Sequence, residues 1–374
     1  MNRSYRICTR CVMDTTDPRI RFDADGHCNH CTGQLRRMAS QQAPLDQRAR
    51  DLERLAARIK EDGRGKDYDC IIGVSGGVDS TTVAYTTKQL GLRPLAVHFD
   101  NGWDSELAVD NIKKTLDELG IELFTHVVEW DEFRDLQMAF LKASVPNAEI
   151  PTDHGITALL FSMARRFQTR FILSGSNLAT EGVLPMAWGH YNQDLKHLLA
   201  IHRRFGTMPL RTMPLISITD YVRDVFVRGI RQVPFLNYID YRKDESKALL
   251  AREIGWRDYG GKHYESVWTR FFQGYYLPVK FGFDKRLAHF SSLICSAGMT
   301  RDEALTALEQ PIYDPKLLKE DRQFVLKKFG LSEAQFQAIM EDPPKAHSAY
   351  PNHLFWFETL SGLKNTFRAF ATRA

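Results

Sequence analysis

The chain has 374 residues, of which 43% are hydrophobic and 26% are charged, and its formal net charge at pH 7 is +4. This length is enough to bury a sizeable core, and the composition is that of a globular protein rather than a disordered or fibrous one. So small a net charge does not require a nucleic-acid partner, although it is compatible with an anionic substrate. The most apolar run, residues 156–164, is too short to span a membrane. We therefore expect a cytoplasmic protein.

Two C-x-x-C motifs lie near the start of the chain, sixteen residues apart, and consist of Cys8, Cys11, Cys28 and Cys31. This spacing is typical of zinc sites, and four sulfur ligands leave no coordination position open for water. The pattern predicts a structural zinc ion in a ribbon over residues 1–40, a segment too small to be stabilised by apolar burial alone. An iron–sulfur cluster, four unrelated buried cysteines, and a site in which His27 or His30 replaces one cysteine are the alternatives.

The next segments predict a helical connector followed by an α/β domain. Residues 41–66 carry apolar side chains at helical spacing, and residues 67–260 alternate short apolar runs with helical segments. Strands are predicted over 68–74, 92–99, 121–127 and 170–173, and helices over 78–90, 105–119 and 152–167. This alternation implies a parallel sheet with right-handed crossovers.

The last part of the chain, residues 261–374, predicts a mostly helical region that contacts the substrate or a partner. Strand patterns become scarce there and aromatic residues become frequent. Thr300 with Glu303 and Ser332 with Gln335 have the spacing of capping boxes, which mark the starts of two helices.

The stretch VSGGVDS, residues 74–80, follows the first predicted strand and begins the next helix. Its glycines allow backbone N–H groups to approach an anion, and the helix dipole favours negative charge there. A Walker phosphate loop would carry a lysine at the end of the loop, and this loop has Asp79 and Ser80 instead. The absence of lysine argues against transfer of a γ-phosphoryl group. An ordinary glycine turn capped by Asp79 is the alternative.

This loop resembles the SGGxDS loop of the ATP pyrophosphatase, or PP-loop, family, which binds the pyrophosphate released when ATP adenylylates a substrate. The resemblance implies a PP-loop parallel sheet with ATP as a substrate. The residues that it implies for phosphate binding are Ser75, Gly76, Gly77, Val78, Asp79 and Ser80. Asp79 and Ser80 would act in catalysis, and Asp79 would hold a magnesium ion.

Two further loops follow later strands of the predicted sheet. In residues 97–105, VHFDNGWDS, the resemblance implies an adenine site at Val97 and Phe99, with a plain core role of Phe99 as the alternative. Residues 173–182, LSGSNLATEG, resemble a stretch of NAD synthetases. That resemblance implies nucleotide binding by Gly175 and Asn177 and a second magnesium ligand, also catalytic, at Glu181. Helix capping by Asn177 and Glu181 is the alternative.

Several segments in order, CTRCVMDTTDP with HCNHC, FDNGWDS, GGKHYESVWTRFFQGYYLPVKFGFDKR and SSLICSAGMTRDEAL, extend the resemblance along nearly the whole chain. They resemble the N-acetyl sugar amidotransferase family, the WbpG/PseA-like proteins of bacterial surface-polysaccharide (lipopolysaccharide, O-antigen) biosynthesis. The family converts the acetamido group of an activated or nonulosonic sugar into an acetamidino group. The resemblance implies an adenylated intermediate that ammonia displaces, with release of AMP and pyrophosphate. An RNA-thiolating PP-loop enzyme and a zinc-bearing scaffold with an inactive nucleotide site are the alternatives.

Polar residues among the aromatics of residues 262–286 are candidates for the sugar site. The catalytic candidates are Lys262, Glu265 and Arg270, and the substrate-binding candidates are His263, Lys280, Lys285 and Arg286. Glu265 is the candidate for deprotonating ammonium or positioning ammonia, and Asp153 and His154 are further candidates. The alternative is that the aromatics are core residues and the charges belong to a helix surface.

Glutamine hydrolysis by a cysteine nucleophile passes through a thioester, and this chain offers no cysteine for it. Outside the C-x-x-C motifs, Cys70 lies in a predicted strand and Cys295 on an apolar helix face. We therefore expect ammonia to come from outside. The family resemblance implies a separate glutaminase subunit with a cyclase-like companion, as in histidine biosynthesis. Residues 354–370 are a candidate contact surface, with a helix packed on its own core as the alternative.

Overall fold

The computed structural model describes residues 4–261 and 264–359, and these contain a five-stranded parallel sheet. The strands are β1 (Cys70–Gly73), β2 (Pro94–Asp100), β3 (Glu122–Val127), β4 (Phe171–Ser174) and β5 (Arg231–Pro234). Their order across the sheet is β3-β2-β1-β4-β5, and every neighbouring pair is parallel. The first strand is therefore central, and its carboxyl end opens toward both halves of the sheet. The predicted fold class is confirmed.

Helices surround the sheet and form the rest of the described chain. They are α1 (Asn29–Gln41), α2 (Leu45–Asp62), α3 (Val78–Gln89), α4 (Glu106–Leu119), α5 (Trp130–Ala143), α6 (Ile150–Arg166), α7 (Leu178–Glu181), α8 (Leu195–Phe205), α9 (Ile218–Val222), α10 (Lys243–Ile254), α11 (Val267–Phe271), α12 (Leu277–Phe281), α13 (Lys285–Cys295), α14 (Arg301–Glu309), α15 (Pro315–Phe329) and α16 (Glu333–Glu341). Two π-helical segments, Arg223–Val227 and Phe272–Tyr276, follow α9 and α11. None of the helices described in these ranges is long and apolar enough to cross a membrane.

The elements predicted from local patterns are found within a few residues of the predicted positions. Ser105 caps α4 by accepting a hydrogen bond from the Ala108 amide, and Gly120 ends that helix in the left-handed conformation with φ of 56°. Both predicted capping boxes are present, at the starts of α14 and α16. Elements of the α/β region that had no prediction include α5, α8, α9, α10 and β5. Strand β5 reads RQVP, and its proline is tolerated because the strand lies at the edge of the sheet.

Each face of the sheet is covered by its own apolar core. Alternate residues of a strand point to opposite faces. In β1, Ile71 accordingly joins the core formed with α5 and α6, while Cys70 and Ile72 join the core on the other face. Cys70 is a fully buried small side chain there, as the sequence predicted.

The core on the α6 face continues into the C-terminal helices. Trp268, Phe271 and Phe272 are buried in the same cluster as the sheet residues Ile71 and Leu95. The division of the chain at residue 260 therefore stays a prediction, since the described residues on its two sides share one core.

The segment after β2 provides the direct backbone link between the sheet and the C-terminal region. The Ser105 amide donates to the Glu265 carbonyl at 2.8 Å, and the Val267 amide donates to the Trp103 carbonyl at 2.9 Å. Lys328 of α15 donates to the Gly102 carbonyl, and its ammonium lies 4.8 Å from the centroid of the Trp103 ring.

We predict that Trp268→Ala lowers the free energy of unfolding by about 3 to 5 kcal/mol, because it removes a large side chain from the shared core. A single cooperative transition should shift in both calorimetry and near-UV circular dichroism. Val279→Ala, at an exposed residue of α12, should change stability by no more than about 0.5 kcal/mol. Two separate transitions, of which the substitution shifts only one, would contradict the shared core.

Candidate active site

The loop between β1 and α3 presents two hydroxyl groups beside its glycines. The Ser75 and Ser80 hydroxyl oxygens lie 3.3 Å apart, and the Ser80 hydroxyl donates to the Gly77 carbonyl at 3.1 Å. The Gly77 amide donates weakly to the Ser75 hydroxyl at 3.4 Å. Hydroxyl and amide donors therefore converge at the amino end of α3, where the helix dipole favours an anion.

Gly76 has to be glycine for two reasons. Its φ is +76°, and a Cβ atom built there would lie 2.5 Å from the Ala108 carbonyl oxygen of α4. Its own carbonyl accepts hydrogen bonds from the Trp256 indole at 2.9 Å and the Tyr259 hydroxyl at 2.7 Å. These contacts hold the loop between α4 and the segment after α10.

The two acidic residues predicted to bind magnesium face one tyrosine. Asp79 accepts a hydrogen bond from the Tyr241 hydroxyl. Burial, and then the charges of Asp79 and Glu181, raise the pKa of Tyr241 well above its usual range. Gly175, at the end of β4, packs against Asp79, since a Cβ there would lie 3.0 Å from the Asp79 Cβ. Carboxylate oxygens are the ligands that magnesium prefers, so this donor set fits the ion.

A small cavity of about 60 Å³ lies directly over the loop and brings two lysines to it. Lys243 and Lys247 of α10 line this cavity with Ser75, Asp79 and Ser80. Lys247 is paired with Asp258 at 2.7 Å. Sequence analysis missed both lysines, because two lysines four residues apart on a charged helix look like an ordinary solvated face.

A second cavity of about 820 Å³ opens at the carboxyl ends of β1, β2 and β4. Its walls come from the sheet, including Val97, Phe99 and Gly175, and from the C-terminal region. Glu265 lines both this cavity and the small one. One of its carboxylate oxygens would lie 3.8 Å from a Cβ built at Gly77. The structure thus places Glu265 between the phosphate loop, residues 74–80 after β1, and the large cavity.

The predicted adenine residues have different surroundings. Val97 is a buried strand residue at the cavity. Phe99 stacks on the His126 ring with centroids 5.8 Å apart and abuts Gly155, where a Cβ would lie 2.5 Å from the ring. Phe99 therefore has a core role as well as a place in the cavity wall. Asn177 caps α7 by accepting from the Thr180 amide at 2.8 Å, and it is not among the described residues that line either cavity.

His98 and Asp104 form an ionisable pair in the wall of the large cavity that sequence analysis missed. The His98 Nδ1 donates to the Val74 carbonyl at 2.9 Å, and its Nε2 lies 3.3 Å from the Asp104 carboxylate. Burial opposes the charged imidazole, but the hydrogen bond and charge of Asp104 outweigh burial and raise the pKa of His98. A histidine inside a strand gives no sequence signal for such a pair.

The cations predicted for the sugar site are mostly neutralised by neighbours. Arg270 lines the large cavity, and both ends of its guanidinium donate to Asp321, at 2.6 and 2.8 Å. Arg286 pairs with Asp284 at 2.8 Å and donates to the Gln310 carbonyl at 2.7 Å. Both arginines therefore brace helices at the cavity wall.

Lys285 lies in the cavity wall near the acidic residues Asp153 and Glu149 of the opposite side. Burial and the charge of Glu149 raise the pKa of Asp153 to about 7, while the charge of Lys285 acts in the opposite direction. Burial beside a second carboxylate thus favours the protonated form of Asp153. The sequence could not show that these residues are neighbours, because they lie at the starts of α6 and α13, which are far apart along the chain.

One predicted sugar-site residue, Lys280, is not brought to the cavities, and two others lie outside the described residues. Lys280 donates to the Ile339 carbonyl of α16, burial lowers its pKa to about 8, and it is not among the described lining residues. The prediction that Lys280 contacts the sugar is therefore not supported. Lys262 and His263 lie outside the described residues. His154 is structural: its Nδ1 donates to the Asn192 carbonyl at 2.7 Å and its Nε2 accepts from the Ile216 amide at 3.2 Å.

The four N-terminal cysteines form one compact, buried cluster, with all Sγ atoms within 4.8 Å of one another. Cys8 and Cys31 sulfurs lie 3.8 Å apart, and those of Cys11 and Cys28 lie 3.5 Å apart. A tetrahedral zinc with Zn–S bonds of about 2.3 Å requires sulfur separations of about 3.8 Å, so the cluster fits zinc.

Neither histidine near the cysteine cluster belongs to it. His30 pairs with Asp17 at 2.5 Å, and His27 contacts the Arg10 guanidinium at 2.6 Å. The ligand set is therefore the four cysteines of the predicted motif.

Comparisons with known proteins match two parts of the chain. Residues 265–364 match the family model described as "LPS biosynthesis protein WbpG-like, C-terminal domain". A tRNA-specific 2-thiouridylase, MnmA 1 of Fusobacterium nucleatum, is 29% identical over 143 residues. That match covers 38% of this chain and 36% of the relative, so the chain spans well under two thirds of the relative's length.

Solved structures of three other proteins are similar in part. The NH3-dependent NAD synthetase from Campylobacter jejuni is 14% identical, with 81% of this chain and 99% of that chain covered and a TM-score of 0.29. NMN synthetase from Francisella tularensis is 12% identical, with 59% and 100% covered and a TM-score of 0.30. A predicted tRNA methyltransferase subunit from Methanocaldococcus jannaschii is 13% identical, with 49% and 75% covered and a TM-score of 0.28. Likenesses at these scores support no statement on function.

We predict one tightly bound zinc ion per chain. Cys28→Ser should lose that zinc and lower the melting temperature, because a structural metal contributes folding free energy. Cys295→Ser is the matched control, since Cys295 packs against the cluster without belonging to it, and it should keep one zinc per chain. Stoichiometric iron, or folded wild-type protein without metal, would contradict the prediction. Elemental analysis and thermal unfolding provide the measurements.

Proposed function

We propose that this chain, whose residues 265–364 match the WbpG-like C-terminal domain, is an ATP-dependent, AMP-forming amidotransferase. It would convert the acetamido group of an N-acetylated sugar, either a nucleotide sugar or a nonulosonic acid, into an acetamidino group. The observation that carries the proposal is the large cavity, in which the SGGVDS sheet forms one wall and the WbpG-like region forms the other. The acetamido group would meet ATP at this junction.

The chemistry requires activation of an unreactive amide. The amide oxygen attacks the α-phosphorus of ATP, a P–O bond to the leaving pyrophosphate breaks, and an O-adenylated imidate forms with loss of the amide proton. Ammonia then adds to the imidate carbon, and AMP leaves with the former amide oxygen. No covalent enzyme intermediate is needed, so the protein acts by positioning and by electrostatic stabilisation.

The loop end of the site suits the leaving pyrophosphate. Hydroxyls of Ser75 and Ser80 and the amide of Gly77 are its donors, and Lys243 and Lys247 add positive charge above the loop. Asp79 and Glu181 would hold magnesium, which when bound neutralises charge that develops on the phosphates.

The junction between the two cavities suits the step in which ammonia displaces AMP. Glu265 lies beside the phosphate loop and in the wall of the large cavity, where its carboxylate would accept a proton from ammonium and orient the resulting ammonia. Asp153, with a pKa near neutrality, is a second group at which a proton could be held during the reaction. Lys285 across from it would bind an anionic group of the sugar.

The alternative of RNA thiolation has one supporting observation, the partial match to a tRNA 2-thiouridylase. Sulfur transfer commonly needs a reactive cysteine beside the nucleotide. Cys70 is buried in β1, and burial raises the pKa of its thiol well above the usual range. Cys295 packs with the cysteine cluster, and neither thiol is among the described residues that line the cavities. The amidotransferase is therefore the better supported function.

The central test is AMP release from ATP and ammonium over a panel of N-acetylated nucleotide sugars and sialic-acid-like sugars, with a tRNA pool as the competing substrate. We expect AMP and pyrophosphate in equal amounts with one acetamido sugar. Asp79→Asn should lower that rate by about 10²- to 10³-fold, because it weakens the hold on the magnesium ion that would neutralise the leaving pyrophosphate. Asp302→Asn, an exposed aspartate of α14, should leave the rate unchanged. Release of ADP and phosphate, or an Asp79→Asn rate near wild type, would mean that the loop has another role.

We further expect the isolated chain to use ammonium salts and not glutamine, because neither Cys70 nor Cys295 can serve as a glutaminase nucleophile. Addition of a separate glutaminase with its cyclase-like companion should then restore the use of glutamine. Steady-state rates with each nitrogen source, measured with and without the partner proteins, test this expectation. Equal product formation from glutamine and ammonium by the isolated chain would overturn both the cysteine argument and the proposed partner.

A further inference from the structure

The short helix α7 carries Glu181 but cannot hold its own shape. It has four residues, one turn, and an isolated helix needs about 12 to 15 residues to be even marginally stable in water. Glu181 is exposed at its end and lines the large cavity. The position of this carboxylate must therefore be set by contacts from other parts of the chain.

Side chains from distant segments bind six backbone groups in this turn and just after it. The Leu178 amide donates to Asn237 at 2.8 Å, and the Val183 amide donates to Ser292 at 2.9 Å. The Leu178 carbonyl accepts from Gln34, and the Gly182 carbonyl accepts from Arg37. The Ala179 carbonyl accepts from Ser296, and the Thr180 carbonyl accepts from His289. Two helices supply most of these carbonyl contacts: α1 provides Gln34 and Arg37, and α13 provides His289, while Ser296 directly follows α13.

Gln34 makes the most deeply buried of the α1 contacts. Its side chain is fully buried, and its amide donates to the Leu178 carbonyl at 2.6 Å. It also packs directly on Gly182, where a Cβ atom would overlap the Gln34 amide group. Arg37 donates to the Gln34 side-chain oxygen at 2.9 Å and to the Gly182 carbonyl. The amide and the guanidinium thus hold both ends of the turn.

The same helix begins in the cysteine cluster. Cys28 is the N-cap of α1, with its sulfur accepting from the Cys31 amide, and Cys31 lies in the first turn. Gln34 follows Cys31 by three residues, so the two side chains share one face of the helix. The four cysteines and Val183, at the end of the α7 segment, also belong to one apolar core.

We propose that Gln34 and Arg37 are positioning residues that connect the cysteine cluster to Glu181. A metal at the cysteines fixes the start of α1, α1 fixes the α7 turn, and the turn sets how tightly the site binds the magnesium–ATP complex. The N-terminal ribbon is then part of the nucleotide site, although no cysteine contacts the nucleotide. This inference rests on the proposed role of Glu181 at the magnesium ion.

The test is the magnesium dependence of ATP binding by the zinc-loaded full chain, measured by calorimetry with ATP and increasing MgCl2. Gln34→Met keeps an unbranched side chain of similar length but removes the donor to Leu178. We expect the magnesium concentration for half-maximal ATP binding to rise about tenfold or more, as is typical when a group that orients a metal ligand is lost. Zinc content should stay at one per chain. Arg36→Met, an exposed neighbour on α1, should bind as wild type does.

A wild-type magnesium dependence in Gln34→Met would overturn the proposal. If that variant does not yield folded, zinc-loaded protein, Arg37→Met decides instead, because its exposed side chain can be removed without opening a cavity. If Arg37→Met raises the magnesium concentration for half-maximal ATP binding, the proposal is supported; if that concentration is unchanged, the proposal is overturned. Wild-type ATP binding that does not depend on magnesium would overturn it as well. Magnesium-dependent binding without amidine formation from any acetamido sugar would contradict the proposed function and leave this inference standing.

Discussion

The antiparallel bridge between Asp104 and Ser266 is the interaction on which the candidate site depends. It pairs the loop after β2 with the segment that leads into the C-terminal helices, through backbone hydrogen bonds that do not require particular side chains. Because the bridge fixes Ser266, it also fixes the neighbouring Glu265 between the phosphate loop and the large cavity. Next to the bridge, the buried rings of Trp103 and Trp268 pack together with centroids 5.8 Å apart.

The charges around the loop form a balanced set rather than a simple cationic pocket. Asp79, Glu181 and Glu265 lie near the two tyrosines Tyr241 and Tyr259, and after burial these acids are the main reason that the pKa values of both phenols are raised. Three carboxylates close to a polyphosphate would repel it unless positive charge compensates them. Lys243 and Lys247 supply part of that charge, and a magnesium ion at the acids would supply the rest. The site is thus built for a metal-bound phosphate chain rather than for a free anion.

Sequence patterns were reliable where the signal is local. The SGGVDS loop, the caps of α4, α14 and α16 and the cysteine cluster each depend on residues a few positions apart, or on a repeated spacing, so the chain itself carries the information. Lys243 and Lys247 were missed because their role arises only when α10 folds back over a loop more than 160 residues earlier. Lys280 and Lys285 looked alike among the aromatics, yet the structure separates them. A π-helical segment at Phe272–Tyr276 rotates the following residues relative to a regular helix, so Lys280 faces α16.

The candidate site is assembled from three parts of the chain, and this explains why its residues could not be found in one motif. The sheet supplies the phosphate loop, the C-terminal region supplies Glu265 and the cavity wall, and α1 and α13 together hold the turn that carries Glu181. A carboxylate on a single helical turn would be mobile if it depended on its own hydrogen bonds. Binding that turn through side chains of two long helices restricts the carboxylate before any ligand arrives, and a preorganised group loses less free energy on binding. The N-terminal ribbon and the C-terminal helices therefore both contact the segment that carries Glu181, which gives a physical reason for their presence on one chain with the sheet.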